Sequence, residues 1–294
     1  MMKGRRISEG RTAEVFAWGD GQVLKLYRAG WRREEAEREA FLAGIVHAGS
    51  VRTPAAIDVV EVEDRHGVIF ERIEGPTMLA ALQARPYQAA AFARMLADVQ
   101  AELHSHTNPN LPSQRERLRR SIAAVAGMPD EIRTAVLAAL DQMPDGDAFC
   151  HGDFHPGNVI LAPDGPVIID WVDVTRGNPL ADVARTVLLA RVARPADIVL
   201  RLLITLVQRR FRAAYLRRYA ELRPFAAAEL EAWEAPVAAA RLAEGLETAE
   251  NGRLIRIVKS RLPYYCQEVD AFSVKTDRSK PGCLSNCFLS LDNP

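Results

Sequence analysis

The chain has 294 residues, 48% of them apolar and 26% charged, and its formal net charge is zero. That length and apolar content fit a packed two-lobe protein or one large domain and exclude a disordered chain. The charge balance argues against a nucleic-acid partner, the basic run RERLRR at 115–120 reading as a solvated helix face.

The opening MMKGRRISEGR lacks the apolar core of a secretory leader. The longest apolar run, IVLRLLITLV at 198–207, includes an arginine and is far short of the about 20 residues a membrane span needs. A cytoplasmic protein with no membrane partner is expected. Cysteine usage agrees: Cys150 stands alone in the body, while Cys266, Cys283 and Cys287 lie near the end with no disulfide framework.

In chain order, AEVFAWGDGQVLKLY reads as two strands joined at Gly19–Asp20–Gly21. WRREEAEREAFLAGIVHA at 31–48 reads as a helix ending near Gly49. AIDVVEVE and HGVIFERI read as two more strands. From Thr77, a candidate N-cap, helices are expected over 77–84, 86–106, 113–125 and 129–142, and again from Leu180 to about Arg261. Between them, NVIL and PVIID form a strand-like insertion. The expectation is an α+β chain: a small antiparallel-sheet lobe with one helix over 1–74, then a larger, mainly helical lobe over 75–263. The tail 264–294 holds one alanine in 31 residues and three of four cysteines, and reads as disordered or non-native.

Lysine usage is lopsided. Of 38 basic residues only Lys3, Lys25, Lys259, Lys275 and Lys280 are lysines, so Lys25 is the sole one between residues 4 and 258. It lies in an apolar strand, which raises the question of what needs a compact ammonium there.

The stretch CHGDFHPGNVILAPDGPVIIDWVDVTRGNPLADVA, 150–184, concentrates the chemistry. His151 and His155 are four apart, as in helical zinc sites, but Gly152 and Pro156–Gly157 forbid a helix and no glutamate stands in the base position. Asp153 and Asn158 are five apart on an irregular turn. Two strands joined at PDG form a hairpin that brings Asn158 and Asp170 together at its open end. Grouped oxygen donors of this kind suit Mg²⁺, which keeps water and phosphate in its shell.

The spacing is similar to the protein-kinase catalytic loop, H-R-D-x-x-x-x-N with a later metal-binding aspartate. The whole form HGDFHPGN…IDW…G-x-P…D closely resembles the aminoglycoside phosphotransferase family of small-molecule kinases. The resemblance covers about residues 5–262 and implies a protein-kinase-like two-lobe fold. It implies ATP (or GTP) and Mg²⁺ as cofactors and a small-molecule hydroxyl as acceptor. Asp153 would be the catalytic base or the group orienting that hydroxyl, with Asn158 and Asp170 as metal ligands. Lys25 would neutralise phosphates and be held by a helix glutamate. Glu35 and Glu39 share one helix face, and Glu39 fits the family spacing better. Glu71 and Ile73 would offer backbone groups to the adenine. The phosphate-covering loop is ISEGRTAEV, with Ser8, Gly10 and Thr12 in place of a glycine-rich run. His151, His155 and Asp182 would support the loop structurally, and Cys150 would be a small buried apolar group.

The same fold can also serve as a catalytically silent nucleotide-binding scaffold. The acceptor stays open among amino alcohols, sugars and aminoglycosides. Glu221, Glu229, Glu231, Glu234, Glu244, Glu247 and Glu250 either line an acidic pocket or pair with neighbouring arginines on helix surfaces.

Overall fold

The computed structural model describes residues 3–190, 198–246 and 248–262. The tail, whose character the sequence sets apart, lies outside the described residues.

Five short strands come first: β1 (Arg6–Glu9), β2 (Ala13–Trp18), β3 (Gln22–Tyr27), β4 (Ala56–Val62) and β5 (Arg65–Glu71). They form one antiparallel sheet in the order β1-β2-β3-β5-β4. The β2–β3 turn needs glycine, since Gly19 and Gly21 both have positive φ. β3 is central and alternates. Leu24 and Leu26 are fully buried on one face with Phe16, Trp18 and Ile69. Two-residue periodicity therefore puts Lys25 and Tyr27 on the other face. There Tyr27 packs with Ala13, Val68 and Ala36 of the helix α1 (Arg33–Ala48). The buried residues Ala36, Glu39, Ala43 and Val46 recur every three or four positions and give α1 one inward stripe. Its far end joins the main core through Leu42, Ala43 and Val46.

A connector then leads to the helical part. Thr77 caps α2 (Met78–Ala84) by accepting a bond from the Ala80 amide at 3.1 Å. α3 (Ala89–Leu103), α4 (Gln114–Ala123) and α5 (Asp130–Gln142) follow. Two small sheets interrupt the helices. β6 (Ala148–Cys150) pairs with β9 (Thr175–Gly177), and β7 (Val159–Ala162) with β8 (Gly165–Ile168). Then come α6 (Pro179–Leu189), α7 (Ile198–Leu222), α8 (Ala227–Arg241) and α9 (Thr248–Arg261). α6 opens with Asn178 as N-cap and proline at its first position, a favoured start. No helix among the described residues is long and apolar enough to cross a membrane.

The β6–β9 pair was not expected from sequence; each strand has three residues, too few for a visible period. The basic run at 115–120 contains no buried residue, as expected of a solvated face, and its arginines also make specific bonds. Arg115 donates to the Leu140 and Met143 carbonyls, Arg117 to Asp173 and Arg119 to Asp141. These arginines tie α4 to its neighbours.

The connector crosses β7 closely. Pro76 accepts a bond from the Leu161 amide at 2.9 Å. Gly75 has φ +139, and a Cβ there would lie 2.3 Å from the Leu161 carbonyl oxygen. Gly75→Ala should therefore lower stability by about 3 kcal/mol. Urea melts of the two proteins check this, and equal midpoints would refute it.

Candidate active site

Three of the side chains singled out from sequence, Lys25, Glu39 and Asp170, meet where the sheet faces the β7–β8 hairpin. Lys25 Nζ lies 2.7 Å from Glu39 Oε1 and 2.7 Å from Asp170 Oδ1. Glu39 is 2% exposed. Its second oxygen accepts a bond from the Tyr27 hydroxyl. Burial raises the Glu39 pKa while the Lys25 ammonium opposes that rise. Burial likewise works against the Lys25 charge, but Asp170 and Glu39 more than offset it and push its pKa well up. The pair is thus an ammonium between two carboxylates. Glu35 is elsewhere: its carboxylate accepts from the Arg32 amide at 2.8 Å and caps the start of α1.

Asp170 stands two residues beyond β8 with φ +70, a left-handed conformation that aspartate tolerates better than most residues. The hairpin register pairs Val159 with Ile168, and the Ile169 amide bonds the Asn158 carbonyl at 3.0 Å. Asn158 and Asp170 therefore sit at the open end of one hairpin. Asn158 Nδ2 donates to the Asp153 carbonyl at 3.0 Å, which leaves its Oδ1 as an acceptor. Asp170 is half-exposed. Two oxygen donors of this type fit Mg²⁺, which binds through one or two protein oxygens plus phosphates. Among the described residues no cluster of three or more His, Cys, Asp or Glu could hold a metal without such help.

The loop between β6 and β7 is fixed mainly through its backbone. Asp182, on α6 and fully buried, accepts from the His151 amide at 3.1 Å and the Gly152 amide at 2.7 Å. Gln100 and His104 complete its shell at 2.9 and 3.2 Å. Burial acts to raise its pKa, yet His104, His151 and the Gly152 amide hold it below the usual range. His151 Nδ1 accepts from the Asp153 amide, so Nε2 carries the proton donated to the Ile169 carbonyl at 3.0 Å. Trp171, 2% exposed, packs on that imidazole and donates to Thr53 Oγ1 at 2.6 Å. His155 Nδ1 accepts from the Gly157 amide. Both histidines thus serve the turn.

Asp153 is buried, with Oδ1 3.2 Å from Arg185 Nη2 and Oδ2 3.6 Å from His155 Nε2. Burial would raise its pKa, but His155, Arg185 and Arg241 hold it far below the ordinary carboxylate range. Cys150 is buried too, and burial pushes its thiol pKa up.

Other expected contributors sit around this centre. Ser8 lies on β1 opposite Val15, and the Gly10 amide closes a tight turn onto the Ala13 carbonyl at 2.8 Å. Arg28 pins that loop. Its backbone amide bonds the Thr12 carbonyl, and its guanidinium bonds the carbonyls of Arg11 and Gly10, each at 2.9 Å. Arg11 extends from the loop to the Glu244 carbonyl at 3.3 Å. At the end of β5, the Glu71 amide is bonded to the Ala55 carbonyl, while Ile73 makes no backbone bond among the described residues.

With the geometry in place, the comparisons decide the family. A model described as a phosphotransferase enzyme family matches residues 3–233. The chain belongs to that family. No curated protein sequence matches it. Among solved structures, an aminoglycoside-3'-phosphotransferase of type VIII is 21% identical with a TM-score of 0.53, covering 81% of this chain and 90% of its own. A thermostable mutant of aminoglycoside phosphotransferase APH(4)-Ia, in a ternary complex with ADP and hygromycin B, is 17% identical with a TM-score of 0.59, covering 87% and 93%. A choline/ethanolamine kinase family protein from Mesorhizobium loti is 17% identical with a TM-score of 0.53, covering 88% and 85%. At these identities the likeness is one of fold, the protein-kinase-like two-lobe fold of small-molecule kinases.

Within this phosphotransferase, sequence reasoning missed Tyr27, Arg28, Arg117 and Arg185. Tyr27 was findable, since it shares the Lys25 face of β3 two residues on. Arg185 stands three residues after Asp182 on α6, but in a chain with 33 arginines its type carries no signal. A cavity enclosing about 460 Å³ of partly open space adjoins the loop, lined by Gln114, Arg117, Leu118, Gly152, Arg185 and Glu244. The C-terminal glutamates form no acidic pocket there among the described residues. Glu221 pairs with Arg218, Glu231 and Glu234 with Arg261, Glu244 with Arg185 and Arg241, and Glu250 with Arg241. Glu229 accepts from the Ala226 amide, and Glu247 lies outside the described residues.

Asp182→Ala should lower the unfolding free energy by about 4 kcal/mol, because two loop amides and a histidine lose a buried acceptor. An unfolded aspartate titrates near 3.9 and the folded one lower, so this stabilisation is full above about pH 4 and fades as pH falls through the folded value. Urea midpoints between pH 5 and 3 should drop less in Asp182→Asn than in the parent; parallel curves would refute the assignment.

Proposed function

We propose that the protein transfers the γ-phosphate of ATP (or GTP) to a hydroxyl of a small molecule, with Mg²⁺. The observation carrying this reading is the single ammonium of Lys25 between the acids at 39 and 170, at the open end of the hairpin that also bears Asn158.

Phosphoryl transfer asks little covalent work of a protein. It needs clamped phosphates, an aligned acceptor and offset charge. Lys25, held by Glu39, would contact phosphate oxygens. Asn158 and Asp170 would hold the magnesium ion, which when bound offsets charge on the transferring group. The loop of Ser8, Gly10 and Thr12 would cover the phosphates with backbone groups that Arg28 fixes. Glu71 and Ile73 would receive the adenine. Asp153 would accept a hydrogen bond from the acceptor hydroxyl. As the new phosphorus–oxygen bond forms and the bond to the β,γ-bridging oxygen breaks, that proton passes to Asp153 and then to solvent. A carboxylate held so acidic is a weak base, which suits an aspartate that mainly orients the hydroxyl and takes its proton late.

The cavity beside Gly152, next to the loop that carries Asp153, would take the acceptor. With the described C-terminal glutamates paired to arginines or to backbone, a polyol or a singly charged amino alcohol fits this reading better than a polycation. The reading also places the enzyme in the cytoplasm, with no nucleic-acid or membrane partner.

Asp153→Asn should reduce transfer by about 1,000-fold or more while Mg·ATP still binds. Asp170→Ala should weaken Mg·ATP binding by at least about tenfold. The measurements are ADP release across a panel of hydroxyl acceptors and calorimetry with Mg·ATP. Binding without transfer to any acceptor would favour a silent scaffold, and full activity in both variants would reject the proposed roles.

A further inference from the structure

Asp153 is the end of a buried chain of alternating charges. Arg185 Nη2 touches Asp153 Oδ1 at 3.2 Å, and its Nη1 touches Glu244 Oε1 at 2.5 Å. Glu244 Oε2 takes Arg241 Nη1 at 3.0 Å, and Arg241 reaches Glu250 through Nη2 at 2.6 Å. None of these five side chains is more than 14% exposed. Burying so many charges is a poor route to stability, since apolar packing of similar volume does as well or better. The chain nevertheless ends on one oxygen of the carboxylate that the reaction would use.

The placement on α6 is regular. Asp182 grips the backbone of the loop at residues 151 and 152. Arg185, one turn later on the same helix, grips the side chain of residue 153. Only a guanidinium can hold Asp153 and Glu244 at once through separate nitrogens in a fixed plane. Oδ1 is held by Arg185, and Oδ2 lies 3.6 Å from His155 Nε2.

We propose that Arg185, itself braced by Glu244, is a positioning residue that sets the side-chain orientation of Asp153 for the acceptor hydroxyl. This rests on the phosphotransfer reading above. Arg185 need not touch nucleotide, so its loss should appear in turnover and not in Mg·ATP affinity.

The test uses the full chain and the variants Arg185→Met, Arg185→Lys, Arg185→Ala and Glu244→Gln. Crystal structures of the parent and Arg185→Met come first, with the Asp153 side-chain torsions as the readout; a changed rotamer is expected. ADP release from Mg·ATP, with water and with each hydroxyl acceptor of the panel, is measured alongside. Arg185→Met should lower kcat about 100-fold with KM for ATP within about twofold. Arg185→Lys should fall nearly as far, and Glu244→Gln about tenfold. Millimolar guanidinium should restore Arg185→Ala several-fold where ammonium does not, because the planar ion can take the place of the deleted guanidinium.

An unchanged Asp153 rotamer in Arg185→Met overturns the inference. So does a loss of kcat matched by equal losses of ATP affinity and melting temperature in both Arg185→Met and Arg185→Lys, which would mark a merely structural residue. If the parent releases no ADP, the phosphotransfer reading is what fails, and the crystal structures alone decide the orientation of Asp153.

Discussion

The arrangement depends on one ammonium held by two carboxylates from different parts of the chain. Lys25 comes from the centre of the sheet, Glu39 from the helix laid across it, and Asp170 from the far end of a hairpin 145 residues away. Removing one member of a buried ion pair typically costs about 3–5 kcal/mol, because the partner is left charged in a dry site. Here that penalty belongs to the buried Lys25–Glu39 pair, while solvent screens the half-exposed Asp170. The packing of α1, the pitch of β3 and the placement of the hairpin are mutually constrained through a single nitrogen.

Much of this was legible in the sequence because its causes are local. Period-two patterning marked β2 to β5, and Thr77 announced α2 through its hydroxyl. Asn158 and Asp170 could be placed together because a two-stranded hairpin fixes their register. The choice between Glu35 and Glu39 could not be made from periodicity, since both share a face. The structure separates them by depth: Glu35 is at the first turn, spent on a backbone amide, and Glu39 is one turn further in. The β6–β9 pair and the Arg185–Glu244 contact were invisible, because both join segments about 25 to 60 residues apart with no local pattern to betray them.

The imbalance between arginine and lysine also has a physical reading. Arg133 alone donates to the carbonyls of Ile122, Ala123, Val125 and Met128, satisfying the end of α4 and the loop beyond it. Arg65 reaches the carbonyls of Tyr27 and Leu26, and Arg28 those of Gly10 and Arg11. A forked, planar donor suits such multiple acceptors. A point charge shared by two carboxylate oxygens is a different requirement, and the strand position that has it carries the lone lysine.

Arg11 joins the glycine-poor loop to the carbonyl of Glu244, 233 residues later. Spreading the two halves of the molecule must break that bond, and the carboxylate of the same residue braces the guanidinium beside Asp153. Glu244 is thereby a shared anchor: its carbonyl holds the loop of the sheet while its carboxylate holds the arginine beside Asp153, so neither segment can shift without straining the other.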